Sequence, residues 1–301
     1  PVAAQGYPAK PIRIIVPAPA GTPPDVASRV FARAMTEVIA QQVIVENRPG
    51  AGGTIGSAAV ANAAPDGYTL LWGLPNAIAL GPVLFPDAGF RSWTDLAPIS
   101  LVNTSRFFLV VHPSVPVTTL KEFVEYAKAR PGKLNYSSAG SGTVPHIVME
   151  MFKSAAGVDL VHVPFKGNHF TTLVAGEVQS VFENPSGFAQ FARAGKARPL
   201  AVASTTRYAE FPDLPTMAEA GVPFQAEVWM GVLAPRGTPT DIISRLNAAT
   251  RSAVDSKALR DSFASLGTEP ITNSSDEFSR FISVEVDKWT RAWKASGAKL
   301  D

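Results

Sequence analysis

Cysteine is absent from the 301 residues, which excludes disulfide frameworks, thiol nucleophiles and cysteine-based zinc sites together. Charge is scarce as well. Charged residues make up 17%, and 27 Lys and Arg against 25 Asp and Glu leave a net charge of +2, which excludes both a highly charged disordered chain and a basic nucleic-acid face. No apolar run reaches the 18 or so residues of a membrane span, because the richest stretch, 69–85, is broken by Pro75, Asn76, Gly81 and Pro82. There is no H-E-x-x-H, no Asp-rich calcium loop and no Walker loop, so neither a metal nor a phosphate-binding cofactor is expected.

Hydrophobic residues, by contrast, reach 46%, enough for a large core, and the length suggests two domains at about 150 residues each. Proline is abundant: 26 residues, above the usual share of about 5%. The opening Pro1-Val2-Ala3-Ala4-Gln5 is what an A-x-A cleavage site leaves behind, so a processed, exported protein is expected.

Short β-branched runs alternate with helical patterns, the signature of an α/β fold with largely parallel sheets. A strand over 12–16 leads through Pro17, Pro19 and Pro23-Pro24 into a helix from Asp25, where Val26, Val30, Ala34, Met35, Val38 and Ile39 recur at helical spacing. The same strand–loop–helix plan returns at 135–156, and Thr119 with Glu122 has the spacing of a capping box. A helix from Pro239 with Thr238 as its cap, and a long final helix carrying Phe278, Phe281, Ile282, Trp289 and Trp293, complete the pattern. Two similar units predict a bilobed protein: residues 1–102 and 226–301 as lobe one, 103–225 as lobe two.

Three loops carry candidate chemistry. In the first, Gly21 and Thr22 precede a helix start that favours anions, with Asp25 in its first turn; a proline-stiffened connection is the alternative. In the second, Ser138, Ala139, Gly140, Ser141, Gly142 and Thr143 precede His146 and can form a nest of amides and hydroxyls. A hydrolase built on Ser141 is the competing reading, although Ala139 stands where G-x-S-x-G needs glycine. The third, Gly50-Ala51-Gly52-Gly53-Thr54-Ile55-Gly56, has Ile55 where a dinucleotide loop needs glycine, and a tight turn that lets a helix pack closely explains it better.

Several separated motifs, in order, are similar to one family. Lys10-Pro11-Ile12-Arg13-Ile14-Ile15-Val16-Pro17, Glu46-Asn47-Arg48-Pro49-Gly50-Ala51-Gly52-Gly53, Ala64-Pro65-Asp66-Gly67-Tyr68-Thr69-Leu70, Pro131-Gly132-Lys133-Leu134-Asn135-Tyr136, Pro212-Asp213-Leu214-Pro215-Thr216 and Ala234-Pro235-Arg236-Gly237-Thr238-Pro239 resemble the tripartite tricarboxylate transporter receptors, the Bug-type periplasmic solute-binding proteins. The resemblance implies a two-lobed Venus-flytrap architecture, each lobe a mixed, mainly parallel sheet flanked by helices, with a carboxylate held in the cleft between the lobes. It implies a periplasmic, non-enzymatic monomer that needs no cofactor or nucleic acid and delivers its solute to membrane transporter subunits.

Carried over residue by residue, the ligand contacts map onto Ala20, Gly21, Thr22 and Asp25, and onto Ser138, Ala139, Gly140, Thr143 and His146. A further loop maps onto Phe165-Lys166-Gly167-Asn168-His169-Phe170-Thr171, and a cleft aromatic onto Trp229. Two departures stand out: the first loop has one glycine and extra proline where relatives have paired glycines, and Asn168, His169 and Phe170 replace smaller residues. The expected ligand therefore has an apolar or aromatic distal part stacking on Phe170 or Trp229, with Arg106 or His169 available for a second carboxylate.

Overall fold

The computed structural model describes residues 6–165 and 167–296. The expected cleavage remnant at Pro1 to Gln5, and Lys166, lie outside the described residues. In chain order the elements are β1 (Ile12–Val16), α1 (Pro23–Ile39), β2 (Val43–Asn47), α2 (Thr54–Ala61), β3 (Thr69–Gly73), α3 (Gly81–Leu84), β4 (Leu96–Arg106), β5 (Phe108–Val111), α4 (Leu120–Lys128), β6 (Asn135–Ser138) and α5 (Val144–Ala156). There follow β7 (Val161–Pro164), α6 (Phe170–Val174), β8 (Ser180–Glu183), α7 (Pro185–Arg193), β9 (Arg198–Val202), β10 (Glu227–Pro235), α8 (Thr240–Asp255), α9 (Lys257–Ser265), β11 (Thr268–Pro270) and α10 (Ser275–Ser296). Residue contacts divide the chain into Pro1–Thr104 with Trp229–Thr290, and Ser105–Val228 with Arg291–Asp301, so the divisions fall inside β4, β10 and α10.

The first unit is a six-stranded sheet in the order β11-β4-β10-β3-β1-β2. β1 pairs in parallel with β2 and β3, and β10 runs antiparallel to β3. Side-chain alternation distributes one strand between two cores. Ile14, Leu70 and Trp72 face α1, α8 and α9, where Phe31, Met35, Leu246 and Phe263 close over them. Ile15 and Leu71 face the other side, against Val60, Phe278 and Ile282. α1 starts at Thr22 with prolines at its first two positions, and ends where Ala40 turns left-handed at φ 51°.

The second unit is a five-stranded sheet in the order β7-β6-β8-β5-β9. β6 is parallel to β7 and β8, whereas β5 runs antiparallel to β8 and β9, so both sheets are mixed. Phe108, Val110, Val181 and Val202 pack with Phe170, Leu173 and Phe188, while Phe152, Phe182 and Phe224 form a ring cluster with centroids 5.6 to 6.1 Å apart. The expected capping box is present: Thr119 Oγ1 accepts the Glu122 amide and Glu122 reaches back to the Thr119 amide. Thr119→Ala is therefore expected to lower unfolding free energy by about 1 kcal/mol, measured by denaturant melts of wild type and variant.

Two local expectations change. Pro239, not Thr238, occupies the cap of α8, because the Thr238 hydroxyl donates backwards to the Pro235 carbonyl at 2.7 Å. In the glycine-rich turn before α2, a Cβ on Gly53 would lie 2.8 Å from Ala77 Cβ and one on Gly56 2.8 Å from the Arg48 carbonyl. Those glycines are there for close packing, as the tight-turn alternative holds.

Candidate functional site

The carboxyl ends of β1 and β6 each run into a glycine-bearing loop and then a helix, the place where open α/β sheets hold ligands. The loop of residues 17–22 is arm one, and that of residues 139–143 is arm two. Ala20 and Gly21 are exposed at the tip of arm one, and Ala139, Gly140, Ser141 and Thr143 are partly exposed in arm two.

Beneath the tip of arm one sits Asp25, 3% exposed. It accepts hydrogen bonds from the Gly21 amide at 2.9 Å, the Asn47 side chain at 2.9 Å and Arg29 Nε at 3.0 Å. Burial alone pushes this carboxyl upward, but the bonds from Arg29, Gly21 and Asn47, with the Arg29 charge, outweigh it and hold the group below the usual carboxylate range. The Thr22 hydroxyl donates to the Pro19 carbonyl at 2.6 Å. The donors expected for a ligand are thus engaged internally: Gly21 is committed to Asp25 and Thr22 to Pro19. Pro23 and Pro24 carry no N–H, so of the first-turn amides that a helix cannot satisfy internally, α1 offers that of Asp25.

Arm two is held at both ends. Ser138 Oγ lies 2.7 Å from His162 Nε2 and accepts the Gly140 amide at 3.2 Å. At the far end the Gly142 amide donates to His146 Nδ1 at 3.0 Å, and Thr143 Oγ1 donates to the Gly140 carbonyl at 2.7 Å. The His146 and His162 rings stack 4.1 Å apart at 7°, and His162 stacks in turn on Tyr136 at 4.8 Å. His162 had no place in the sequence-based site. It is sixteen positions from His146, and the parallel pairing of β6 with β7, Tyr136 opposite His162, brings it there.

The remaining candidates are supports rather than contacts, or lie elsewhere. Asn168 is exposed, and its side chain accepts the Phe170 amide at 3.1 Å. Phe170 and Trp229 are each 1% exposed and fill cores, Phe170 against Phe191 and Trp229 against Phe278 and Phe281. Neither presents a ring face for a ligand to stack on, which corrects that expectation. Arg106 ends β4 rather than standing in a loop, with its guanidinium 5.8 Å from the Tyr208 ring.

His169 is buried beside Glu183, a group that no sequence motif marks, with Nε2 3.6 Å from Oε2. The distance is that of an ion pair, yet burial opposes charge on both: it pushes Glu183 up to about 7 and His169 down to about 4, with the nearby His162 adding to the latter. We read the contact as one between neutral groups, so His169 is not a cation awaiting a second carboxylate. Gly187 makes the room, since a Cβ there would lie 2.5 Å from Glu183 Cδ.

A hydrolase would need a base on Ser141, but His146 Nδ1 is given to Gly142 and His162 Nε2 to Ser138. Among the described residues no group of three His, Cys, Asp or Glu side chains could hold a metal, and no helix is long and apolar enough to cross a membrane.

Comparison with known proteins gives the fold its context. Residues 26–298 match the model of the "Tripartite tricarboxylate transporter family receptor". Protein BugT of Bordetella pertussis is 38% identical over 304 residues, covering 100% of this chain and 93% of BugT. The structure of periplasmic binding protein BugD superposes with a TM-score of 0.90 at 31% identity, over 97% of this chain and 99% of BugD. The R. palustris protein Rpa4515 with adipate matches equally, with a TM-score of 0.90 at 31% identity, over 97% and 98% of the two chains.

Proposed function

Because this chain belongs to the tripartite tricarboxylate transporter receptor family, we propose that it captures a small carboxylate in the periplasm and delivers it to membrane subunits of such a transporter, without chemistry of its own. The observation that carries this reading is the family match along almost the whole chain, joined to an adipate-bound relative of the same fold. The near-neutral net charge agrees with it, since it leaves the anion to exposed loop tips rather than to a basic patch.

The two arms are the proposed contact surfaces. Ala20 and Gly21 of arm one, and Ala139, Gly140 and Ser141 of arm two, lie toward solvent at the tips; Thr22, Asp25, Ser138, Thr143 and His146 hold those tips in shape. With Phe170 and Trp229 buried, an aliphatic acid suits the site better than an aromatic one. Nothing supports the competing reading of hydrolysis at Ser141; ester hydrolysis that is lost in Ser141→Ala would overturn the proposal.

Calorimetric titration with adipate, succinate, malate, benzoate and phthalate tests the assignment, and aliphatic acids are expected to bind tightest. Thr22→Pro in arm one removes a hydroxyl bond, and Gly140→Val in arm two places a branched residue at φ 119°. Each should weaken binding by about tenfold or more, with the protein still folded. Unchanged affinity in both variants would remove the arms from the site.

A further inference from the structure

The two arms repeat one five-residue plan. Gly21-Thr22-Pro23-Pro24-Asp25 and Gly142-Thr143-Val144-Pro145-His146 share glycine, threonine and proline at the first, second and fourth positions and differ in chemistry at the fifth. Their backbones coincide: the glycines sit at φ 77° and 76°, and the threonines at φ −81°, ψ 160° and φ −76°, ψ 160°. Each threonine hydroxyl donates to the carbonyl three residues back, at 2.6 and 2.7 Å. In each arm the glycine amide donates to the fifth side chain, at 2.9 Å to Asp25 and 3.0 Å to His146. The fifth residue therefore fixes the peptide plane that follows the exposed tip.

The two fifth residues answer acid differently. Asp25 keeps its acceptor oxygens because Arg29, Gly21 and Asn47 hold it ionised. His146 accepts through Nδ1, and it can do so only while that nitrogen carries no proton. Protonating it replaces an acceptor by a donor facing the Gly142 amide and sets a cation 4.1 Å from the His162 ring, which itself holds Ser138 at the start of the arm.

Tyr136 and Trp293 also pack against this pair. Tyr136, from β6, donates its hydroxyl to Glu150, and Lys153 bonds the same carboxylate at 2.7 Å, so the two charges of α5 satisfy each other. Trp293, from α10, meets His146 edge-on at 6.3 Å and brings no charge.

We propose that His146 is a positioning residue of the solute site, the counterpart of Asp25, and that arm two holds its binding shape only while His146 is neutral. The inference rests on the reading of the arms as the carboxylate-binding surfaces. Losing the Nδ1 acceptor then weakens solute capture through arm two, while arm one keeps its shape.

The experiment is calorimetry at about pH 8 with whichever acid of the panel above binds wild type best, on wild type, His146→Asn and His146→Leu. Asparagine can offer an oxygen to the Gly142 amide, as Asp25 does to Gly21, and it does not titrate. At pH 8 the Asn variant is expected to bind within about threefold of wild type and the Leu variant about tenfold more weakly, with melting temperatures recorded for both. A Leu variant that binds like wild type, or an Asn variant that binds no better than the Leu variant, overturns the positioning role and leaves the site reading standing. If no acid binds wild type, the site reading fails and this inference with it.

Discussion

Trp229→Ala is expected to lower the unfolding free energy by about 3–5 kcal/mol while leaving solute affinity of the folded protein within about threefold. The indole is 1% exposed and meets Phe278 at 5.8 Å and Phe281 at 5.6 Å, both nearly perpendicular, so its removal opens a cavity between β10 and α10. It also orphans part of a buried polar cluster. Glu285, 7% exposed, accepts from Trp229 Nε1 at 3.2 Å, Trp289 Nε1 at 2.9 Å and Lys288 Nζ at 3.0 Å. Trp229→Phe keeps a ring in the cavity and loses only the indole donor, so a smaller loss of about 1–2 kcal/mol is expected. Denaturant melts and calorimetry on the same variants decide the matter. A tenfold or greater loss of affinity with little change in stability would return Trp229 to the ligand.

Why the sequence pointed to Trp229 and Phe170 as ligand contacts is physically plain. An aromatic beside a polar loop looks the same in one dimension whether its ring faces solvent or a neighbouring helix. Only the packing of α10 over β10, and of Phe191 from α7 over α6, settles which. The arms were more legible, because a strand ending in glycine and proline before a periodic helix leaves few conformations open. The consequence of Pro23 and Pro24 was less so. They strip two amides from the helix start, and the Gly21 amide turns inward to Asp25. Pro185–Arg193 went unread as a helix since Asn184-Pro185-Ser186-Gly187 has the composition of a turn; Asn184 instead caps α7 by accepting the Gly187 amide.

The histidines show the same limit from another direction. Four histidines spread over 58 positions showed no triad, yet His146 and His162 stack and His162 lies near enough to His169 to oppose its protonation. Parallel pairing among β6, β7 and β8 does this, since it gathers the carboxyl ends of three strands that are far apart in sequence onto one edge. Glu183 comes to that edge by the same route: the register that sets Ser137 opposite Val181 carries Glu183 toward the level of Ala139.

Glu183→Gln should therefore stabilise the protein at pH 8, by up to about 3 kcal/mol, the equivalent of moving a carboxyl from its ordinary 4.5 to about 7. The sign follows from which state binds the proton. Glu183 is raised in the folded protein, so its contribution is most favourable below pH 4.5 and is lost as pH climbs through 7. His169 is lowered from 6.5 to about 4, so its contribution is present above pH 6.5 and is lost as pH falls toward 4. In wild type the two slopes oppose each other between pH 4.5 and 6.5 and leave stability nearly flat there. Glutamine fits the space that Gly187 leaves and can still accept the Asn184 amide, now made to Glu183 Oε1 at 2.8 Å, but it does not titrate. The variant should gain stability with rising pH across that window, at about 1.4 kcal/mol per pH unit, in denaturant melts from pH 4 to 8. A variant less stable than wild type at pH 8 would mean instead that a protonated His169 pairs with Glu183 and stabilises its charge.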